Sequence, residues 1–413
     1  MYICNIHTFQ MVLKSKIFES LEGQQRAYGH KKVGQERSLV KKNASTKSHI
    51  LIITGVRRCG KSTLMYQLSK KLKKDFIYFN FEDPRIFGFD LDDFDKFDDL
   101  VGEDVDHYYF DEIQNVENWE VFIRHLHDRG KQICITGSNA SLLSKELGTK
   151  LTGRNIQVEL FPFSYAEFCA FKKLSPNKNS FVKYKSQGGF PDHVQSQQPE
   201  ILQQLFKDVI YRDIIVRYGI RNSDIFITIA LFLISNIAKE YSLNSIAKTF
   251  KVGSANSVSD YVDWLEDSYL LFSVPRFSWS LKSVTRNPKK VYTIDTAFAK
   301  ANSLSFSKDE GRLLENMVFL ELRRNHSDIY YFREHGECDF IVKNDTTITH
   351  VVQVCQKVHY DNYEREVGGL LEALNFFEQK EGVIITLDQD DVLKEDGKTI
   401  KMIPAWKWFE DKV

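Results

Sequence analysis

One short segment, residues 55–62, constrains the fold of this chain more than any other. It is GVRRCGKS, which matches G-x-x-x-x-G-K-S, the phosphate-binding loop of nucleoside triphosphatases. The apolar run 49–54 before it predicts a buried strand, and residues 63–68 after it predict the start of a helix. A loop between a strand and a helix directs backbone N–H groups and the positive end of the helix dipole at one point, which suits a polyphosphate. We therefore expect an α/β sheet with a nucleotide site at the end of one strand.

Length and composition limit the remaining possibilities. A chain of 413 residues predicts two or three domains rather than one core. Its 56 basic residues balance 56 acidic ones, so no overall charge favours nucleic acid or a membrane. The six cysteines lack the spacing of a zinc site or a disulfide framework, which predicts a reducing, cytoplasmic location. No signal-peptide pattern and no apolar run of bilayer length is visible, so we expect no membrane partner.

A second element of a nucleotide hydrolase is expected at residues 105–112, where an apolar stretch ends in Asp111-Glu112. The Asp would hold the Mg²⁺ shell and the Glu would polarise the attacking water, while Lys61 reaches the β- and γ-phosphates and Ser62 ligates Mg²⁺. An acidic pair after a strand is more often a solvated turn, but a phosphate loop upstream favours the catalytic interpretation. We expect a five-stranded parallel sheet in which this acidic strand lies beside the phosphate-loop strand.

Further motifs follow in a fixed order, and together they resemble one family. The series resembles the prokaryotic and archaeal AAA-type ATPases that carry a C-terminal domain of unknown function, over residues 30 to 413. That resemblance implies ATP binding and hydrolysis, with ATP and Mg²⁺ as cofactors. The motifs are GVRRCGKS at 55–62, DEIQ at 111–114, TGS at 136–138 with Leu142-Leu143, LTGR at 151–154, LFPFSYAEF at 160–168 and GGFP at 188–191.

Two more kinds of site residue follow from this resemblance. In AAA-type ATPases the strand beside the acidic strand ends in a polar sensor of the γ-phosphate, and here Ser138 or Asn139 would fill that role. Arg154 would either stabilise transition-state charge, in its own subunit or across an interface, or form a surface salt bridge. The expected catalytic residues are Asp111, Glu112 and Arg154, the Mg²⁺-binding residues are Ser62 and Asp111, and the ATP-binding residues are Gly55, Arg57, Arg58, Cys59, Gly60, Lys61, Ser62, Thr63, Ser138 and Asn139.

Residues 223–300 predict a helix, a helix–turn–helix and two strands, an order typical of a winged helix. The second helix of the helix–turn–helix, 255–267, contains four acidic residues and no Lys or Arg, so it would repel DNA phosphates. DNA contact and simple packing or protein contact therefore both stay open. The segment between the two predicted strands is basic, and so is the start of the second strand. The candidates for contact with a DNA backbone are Lys282, Arg286, Lys289 and Lys290.

The last part of the chain resembles restriction-endonuclease-like nucleases, in which carboxylates hold Mg²⁺ and a Lys orients the water. Glu315 on a predicted helix and Asp339 on a predicted strand match that pattern. Gln353 stands at the third acidic position and Cys355 at the Lys position. A neutral amide and a thiol are poor substitutes around a hard cation. We expect a nuclease-like fold whose site is weakened or lost.

The predicted fold is an α/β P-loop ATPase core of AAA type, followed by a helical and winged-helix module and an α/β restriction-endonuclease-like domain. The main hypothesis is an ATP-hydrolysing protein that couples its nucleotide state to the C-terminal half, with or without DNA. An ATP-licensed, Mg²⁺-dependent DNA nuclease and a nucleotide-dependent protein-interaction switch are the alternatives. A homo-oligomer and an unidentified protein partner are both open. The predicted domains are an N-terminal extension and linker (1–45), the ATPase core (46–170), a helical connector (171–222), the winged-helix-like domain (223–300) and the nuclease-like domain (301–413).

Overall fold

The structure is a computed structural model that describes residues 11–40, 49–72, 74–140, 151, 153–304 and 309–410. The chain divides into two compact units. The first comprises residues 1–55 and 60–160, and the second comprises residues 56–59 and 161–413. The motif residues Leu142, Leu143 and Thr152 lie outside the described residues.

A parallel five-stranded sheet forms the centre of the first unit, as predicted. The strand order is β2-β3-β4-β1-β5. The strands are β1 (Ile50–Thr54), β2 (Ile77–Asn80), β3 (His107–Asp111), β4 (Gln132–Gly137) and β5 (Asn155–Glu159), and the helices are α1 (Lys14–Gly29), α2 (Lys61–Leu72), α3 (Asp93–Val101) and α4 (Trp119–Asp128), with short 3₁₀ turns at Pro84–Ile86 and Ile113–Asn115.

The expected neighbourhood of β1 and β3 is wrong, because β4 lies between them. Ile52 and Phe110 both pair with Ile135 of β4 from opposite sides. From Ile133 to Gly137 every residue of β4 is buried, which fits a strand that is covered on both faces. The apolar pattern of each strand predicts that the strand is buried, but it does not predict which strands lie next to each other in the sheet. The polar residues that follow β4 consequently lie between the phosphate loop and the acidic pair.

Helix α1, which was not predicted, belongs to the first unit and covers the open edge of the sheet at β2. The Gln25 side chain donates to the Phe76 carbonyl at 2.7 Å and accepts from the Tyr78 amide at 3.0 Å. The Gln24 side chain likewise donates to the Asn80 carbonyl at 3.2 Å and accepts from its amide at 2.6 Å. These amides replace the missing neighbour strand, since an open edge would leave its backbone groups unpaired. The N-terminal extension is therefore part of this unit rather than only a linker.

The second unit begins with a run of helices and continues into a small antiparallel sheet of order β6-β8-β7. Its order is helix, strand, helix, helix, strand, short helix and strand, and the winged-helix assignment stays a prediction. The elements are α5 (Tyr165–Lys172), α6 (Lys178–Gln187), α7 (Pro191–Ser196), α8 (Pro199–Asp208), a π-helical segment (Val209–Ile215), a short helix (Val216–Tyr218), α9 (Ser223–Ser235), β6 (Glu240–Tyr241), α10 (Leu243–Phe250), α11 (Ala255–Asp267), β7 (Leu271–Pro275), α12 (Leu281–Arg286), β8 (Lys289–Thr293) and α13 (Thr296–Asn302).

The paired glycines of the GGFP motif have a structural explanation. A Cβ atom on Gly189 would lie 2.4 Å from the Phe163 carbonyl oxygen, and one on Gly188 would lie 2.2 Å from Asp295 Oδ1. The Gly189 amide donates to Asp295 Oδ2 at 2.6 Å, and the Phe163 amide donates to the Gly189 carbonyl at 2.8 Å. Burial raises the pKa of Asp295 to about 6 although backbone amides stabilise its charged form. This motif thus permits a close backbone contact.

A six-stranded mixed sheet of order β13-β14-β12-β11-β10-β9 ends the second unit. The helix predicted at 313–322 and the strands predicted at 329–332, 337–342 and 350–355 are present with slightly different bounds. The elements are α14 (Glu310–Arg323), β9 (Asp328–Arg333), β10 (Glu337–Asn344), β11 (Thr347–Val354), a 3₁₀ turn (Tyr360–Asn362), a π-helical turn (Glu364–Gly368), α15 (Gly369–Phe376), β12 (Glu381–Thr386), β13 (Asp391–Glu395), β14 (Lys398–Pro404) and α16 (Ala405–Glu410).

Two whole-chain expectations can be compared with the described residues. Among the helices of the described ranges, none combines the length and the apolar character needed to cross a membrane. The five cysteines in those ranges are buried and free of disulfide bonds: Cys59, Cys134, Cys169, Cys338 and Cys355. The cytoplasmic location inferred from the cysteine pattern stays a prediction.

Candidate nucleotide site and acidic cluster

The sequence-predicted ATPase residues of the first unit meet at one edge of the parallel sheet, where β1, β3 and β4 end. Gly55 follows β1 directly, Asp111 is the last residue of β3, and Ser138 follows β4. Gly60 has a φ of +104°, which a residue with a side chain rarely adopts, so the loop needs glycine there. Lys61 is the first residue of the twelve-residue helix α2. The loop therefore leads into a helix N-terminus, as a phosphate site requires.

Lys61 is nearly inaccessible and lies beside the acidic pair. Its side chain is 3% exposed, and its Nζ donates to the Gly55 carbonyl at 3.0 Å. The same Nζ lies 3.4 Å from Glu112 Oε1. A distance of 3.4 Å is long for a charge-assisted hydrogen bond, so this ion pair is looser than the usual lysine–carboxylate contact. The ammonium group is thus held near the loop without being tightly bound to the acid.

Both carboxylate oxygens of Asp111 accept hydrogen bonds. The Tyr78 hydroxyl donates to Oδ2 at 2.8 Å, and the Thr136 hydroxyl donates to Oδ1. The Tyr28 ring stacks on the Tyr78 ring with a centroid separation of 3.8 Å. Burial, reinforced by the charge of Asp111, raises the pKa of Tyr78 above its ordinary range, so its hydroxyl stays a donor at neutral pH. These contacts fix the orientation of the Asp111 carboxylate.

Glu112 is held by a chain of polar groups that reaches Ser138. Its backbone is left-handed, with a φ of +52°, and its amide donates to the Thr136 hydroxyl at 3.0 Å. The Gln114 side chain donates to Glu112 Oε2 at 2.5 Å and lies 3.5 Å from Ser138 Oγ. A left-handed conformation is uncommon for a glutamate and is frequent at functional sites. The chain connects Ser138 to Glu112, and Asn139 next to it is also buried.

The donor set at this edge fits ATP with Mg²⁺. Lys61 and the amides at the start of α2 suit phosphate oxygens, while the Ser62 hydroxyl and the Asp111 carboxylate are oxygen ligands of the kind that Mg²⁺ prefers. Ser62 and Thr63, the second and third residues of α2, are partly exposed at this end of the helix. The residues present therefore match the cofactors that the sequence predicts.

Three side chains that touch this site were not predicted: Tyr78, Gln114 and Arg37. A Cβ atom on Gly60 would lie 3.3 Å from Arg37 Nη1, so this guanidinium lies against the phosphate loop. Gln67 of α2 holds the preceding segment by donating to the Val33 and Gln35 carbonyls. Only Gln114, part of the DEIQ motif, had a signal in the sequence. The polar stretch that contains Arg37 had none, because its position depends on tertiary contacts.

The middle of the phosphate loop, residues 56–59, is grouped with the second unit. Within that unit Arg57 Nε lies 3.1 Å from Asp213 Oδ2, and both side chains are largely buried. Arg58 has a φ of +63°, and its Nη2 lies 3.7 Å from Asp208 Oδ2. Cys59, another expected ATP-binding residue, is completely buried. Both arginines are therefore engaged by carboxylates in this state of the protein.

Arg154 lies at the wrong end of the sheet for a catalytic role in its own subunit. It precedes β5, and its carbonyl accepts from the amide of Ile50, the first residue of β1. The phosphate loop follows the other end of β1, about 13–17 Å away for a five-residue strand. Its guanidinium forms an exposed salt bridge with Asp128 at 2.8 Å. This placement agrees with the surface-salt-bridge alternative, and only the role across an interface stays open.

A second acidic cluster lies in the second unit, around the predicted nuclease residues. Glu315 and Asp339 do come together, but they meet around the ammonium of Lys290. Lys290 Nζ lies 3.1 Å from Glu315, 2.8 Å from Asp339 and 2.7 Å from Glu337. The expectation that Lys290 could contact a DNA backbone is therefore wrong, because its side chain is only 4% exposed. We call these four residues the Lys290 cluster.

Gln353 takes part in the same network as a neutral bridge. Its Oε1 accepts from the Asp339 amide at 3.1 Å, and its Nε2 donates to Glu366 Oε2 at 2.6 Å. Arg365 Nε in turn donates to Glu366 Oε1 at 2.9 Å. Glu366, which the sequence analysis missed, thus supplies a carboxylate behind the position where an acid was expected. These residues line a pocket of about 640 Å³.

The charges of the Lys290 cluster are strongly coupled. Burial alone would lower the pKa of Lys290, but Asp339, Glu315 and Glu337 outweigh it and hold that pKa well above its ordinary value. Burial and the neighbouring Asp339 raise the pKa of Glu315 to about 8. Lys290 therefore stays charged at neutral pH, and Glu315 is easier to protonate than an exposed glutamate.

Comparison with known proteins agrees with the prediction of an AAA-type domain followed by a domain of unknown function. Residues 47–169 match a family profile described as an AAA domain, and residues 178–309 match a domain of unknown function, DUF8612. The uncharacterized protein MJ1544 of Methanocaldococcus jannaschii is 35% identical over 395 residues, which cover 87% of this chain and 88% of that protein. An uncharacterized protein of Haemophilus influenzae is 28% identical over 383 residues, covering 86% of this chain and 94% of that protein.

Among solved structures, the Walker-type ATPase paby2304 of Pyrococcus abyssi is similar with a TM-score of 0.42 and 15% identity, covering 65% of this chain and 95% of that one. The AAA profile spans the phosphate loop and the acidic pair whose geometry is described above. The predicted resemblance to AAA-type ATPases with a C-terminal domain of unknown function is confirmed at this level. The chain belongs to the same family of AAA-domain proteins as MJ1544 of Methanocaldococcus jannaschii.

Proposed function

We propose that this protein binds ATP with Mg²⁺ and hydrolyses it at the edge of the first unit's sheet. The observation that carries the proposal is the loose ion pair of Lys61 and Glu112 at 3.4 Å, next to the fixed carboxylate of Asp111. A phosphate-binding cation, a metal-binding acid and a water-orienting acid are the three protein groups that phosphoryl transfer to water needs. They occur together here at the N-terminus of a helix that follows a phosphate loop.

Each residue has a separate role in this proposal. Lys61 would leave Glu112 for the phosphate oxygens, and its departure would free the Glu112 carboxylate to orient the attacking water. Ser62 and Asp111 would hold Mg²⁺, which neutralises developing phosphate charge when it is bound. Because a cation that moves to phosphate also releases the acid, nucleotide binding and water activation would be linked through one ion pair.

Gln114 and Ser138 are proposed to position Glu112. Gln114 donates to the Glu112 carboxylate and lies near the Ser138 hydroxyl, so a phosphate contact at Ser138 would be relayed to the acid through one amide. This contact makes Ser138 a candidate sensor, and Asn139 stays the alternative. Gln114 and Ser138 are both positioning residues in this proposal, and neither takes part in proton transfer.

ATP turnover by four variants tests the proposal. Lys61→Ala and Glu112→Gln should each lower kcat by about 100-fold or more, because each removes a group that acts directly on phosphate or water. The matched controls are Lys70→Ala in the same helix and Glu117→Gln five residues after the acid, both of which change exposed side chains. Unchanged turnover in Lys61→Ala or Glu112→Gln would refute the role assigned to that residue.

The same experiment separates a hydrolase from a switch. The nucleotide-dependent interaction switch would be favoured by two results together. The wild-type protein would bind ATP tightly with turnover near zero, and ATP would cause it to self-associate or capture a partner. A pull-down with Glu112→Gln and ATP addresses the partner, because a trapped ATP state retains what the protein acts on. Both co-purifying proteins and co-purifying nucleic acids should be identified in that pull-down, so that either class of partner can be detected.

Contact with DNA has less support in the described residues than a protein contact. Helix α11 carries four acidic residues and no basic one, and Lys290 is unavailable in its cluster. Lys282 and Arg286 remain exposed on α12. If they bind a DNA backbone, Lys282→Ala/Arg286→Ala should weaken duplex binding and lower its salt dependence by about two charges. Fluorescence anisotropy with a labelled duplex at several salt concentrations measures both quantities.

A metal-dependent nuclease is the second candidate, because Glu315 and Asp339 converge as a nuclease-like fold requires. Cleavage of supercoiled and single-stranded DNA with Mg²⁺ or Mn²⁺, compared between wild type and Asp339→Ala, addresses it. Cleavage that depends on Asp339 would establish this activity. The environment of the two acids argues against it, for the reason developed next.

A further inference from the structure

The Lys290 cluster has the geometry of an occupied cation site. Three carboxylates point their oxygens at one centre, and the Lys290 ammonium lies at that centre, 2.7–3.1 Å from each of them. An ammonium has three N–H donors, so the number of donors matches the number of carboxylate acceptors. Glu315 comes from α14, and Glu337 and Asp339 come from β10, so two separate elements supply the acids. Lys290 itself comes from β8.

The residues present do not fit the divalent metal that a nuclease-like fold implies. The position between the carboxylates already holds a positive charge, and a second cation a few ångströms away would be strongly repelled. Gln353 offers only a neutral amide. With Lys290 in place, no group of three or more His, Cys, Asp or Glu side chains in the described ranges is arranged to hold a metal ion.

Lys290 is also anchored firmly on the strand that carries it. Two residues further along β8, the Tyr292 hydroxyl donates to Glu315 at 2.7 Å. The Thr293 amide donates to Asn316 Oδ1 at 2.8 Å, and Asn316 Nδ2 returns a bond to the Thr293 carbonyl at 3.0 Å. Strand β8 is therefore joined to helix α14 by neutral hydrogen bonds as well as by charge, which keeps the ammonium in place.

We propose that the Lys290 side chain is an internal cation that takes the place of a divalent metal between Glu315, Glu337 and Asp339. The cluster then holds β8 against α14 and β10 without any metal, and the wild-type protein has no Mg²⁺-dependent chemistry at these acids. This inference is independent of the proposed ATP hydrolysis, since every residue involved lies in the second unit. It also explains how these carboxylates persist together, although Asp339 is buried, Glu315 is nearly buried and Glu337 is partly exposed.

Mn²⁺ binding to the nucleotide-free full-length protein, followed by electron paramagnetic resonance, tests this proposal. Wild type and Asp339→Asn should bind the same amount of Mn²⁺. Lys290→Met should gain a site at least about tenfold tighter than any that depends on Asp339 in wild type, because the carboxylates then lack their cation. The gain should disappear in Lys290→Met/Asp339→Asn, whereas Lys290→Arg should show no gain.

Two results would overturn the inference, and the first needs no change at Lys290. If Asp339→Asn in the otherwise wild-type chain loses one equivalent of bound Mn²⁺, the wild-type cluster holds a metal and the ammonium does not replace it. If folded Lys290→Met gains no Asp339-dependent site, the cluster is only a salt bridge network. Should Lys290→Met fail to fold, Lys290→Met/Glu337→Gln removes one unpaired charge and keeps Glu315 and Asp339 for the same measurement.

Discussion

Two lysines of this protein are almost completely buried beside carboxylates, yet their surroundings differ. Lys61 Nζ lies 3.4 Å from its acidic neighbour Glu112, whereas Lys290 Nζ lies 2.7–3.1 Å from three carboxylates. A loosely paired ammonium can transfer to an arriving phosphate at little cost. A saturated ammonium cannot leave without uncovering several buried charges. The comparison therefore supports the proposed chemistry at the first lysine and a structural role for the second.

The largest expected effect is on ATP turnover, which should depend on the nucleotide site and not on the Lys290 cluster. Glu112→Gln should lower ATP turnover by about 100-fold or more, because a neutral amide cannot orient and activate the water. Asp339→Asn makes the same change of carboxylate to amide in the Lys290 cluster and should leave kcat within about twofold. Steady-state phosphate release at saturating ATP measures both. Equal losses in the two variants would contradict the division of roles between the regions.

The effects on stability should have the opposite order: replacing Lys290 should cost more free energy of unfolding than replacing Lys61. Lys290→Met leaves buried carboxylates without their cation and should lower the free energy of unfolding by about 3–5 kcal/mol. Lys61→Met removes a buried ammonium with one looser carboxylate partner and should lower the free energy of unfolding by less, about 1–3 kcal/mol. Urea titrations followed by circular dichroism provide the measurement. A larger loss for Lys61→Met than for Lys290→Met would refute the comparison.

The sequence predicted the surroundings of Lys61 well and those of Lys290 poorly, for a physical reason. Lys61 belongs to a local motif in which spacing alone fixes the chemistry, so the loop and the acidic pair were found without knowing the fold. Lys290 finds its partners Glu315 and Asp339 25 and 49 residues further along the chain, and only the packing of β8 on α14 brings them together. Its position in an apparently basic segment suggested solvent exposure instead.

The same distinction explains the other differences between the sequence prediction and the structure. Strands β1 and β3 were recognisable from their apolar runs, but the insertion of β4 between them depends on packing between strands. Gln24 and Gln25 of α1 are ordinary helix residues by pattern, and their role at the open sheet edge appears only once β2 lies beside them. Local chemistry was predictable, and long-range pairing was not.

Gln114 offers a sharper test of how Glu112 is held. Gln114→Ala removes the donor to the Glu112 carboxylate and should lower kcat by about tenfold with little change in KM, because the acid loses its orientation but ATP contacts persist. Gln114→Glu should be worse, since a second negative charge would lie next to Glu112. An equal rise in KM with unchanged kcat would indicate that Gln114 contributes to ATP binding instead of to positioning.

Two tyrosines provide a matched pair of smaller effects. The Tyr78 hydroxyl donates to Asp111 at 2.8 Å and the Tyr292 hydroxyl donates to Glu315 at 2.7 Å. Tyr78→Phe should raise the Mg²⁺ concentration needed for half-maximal turnover a few-fold, because Asp111 loses a group that orients it. Tyr292→Phe should leave turnover unchanged and lower the free energy of unfolding by about 1–2 kcal/mol. If Tyr292→Phe changed the Mg²⁺ dependence of turnover and Tyr78→Phe changed only stability, the proposed roles of the two regions would be contradicted.

The smallest effect is expected at Arg154, whose exposed side chain lies at the end of the first sheet opposite Lys61. Its exposed salt bridge with Asp128 should contribute less than about 1 kcal/mol, so Arg154→Ala should barely alter unfolding. Turnover should also be unchanged at low protein concentration, since the far end of β1 separates this residue from the phosphate loop of its own subunit. Measuring turnover across a range of protein concentrations tests the remaining alternative. If wild-type turnover rises with concentration and that of Arg154→Ala does not, the arginine acts across an interface between subunits.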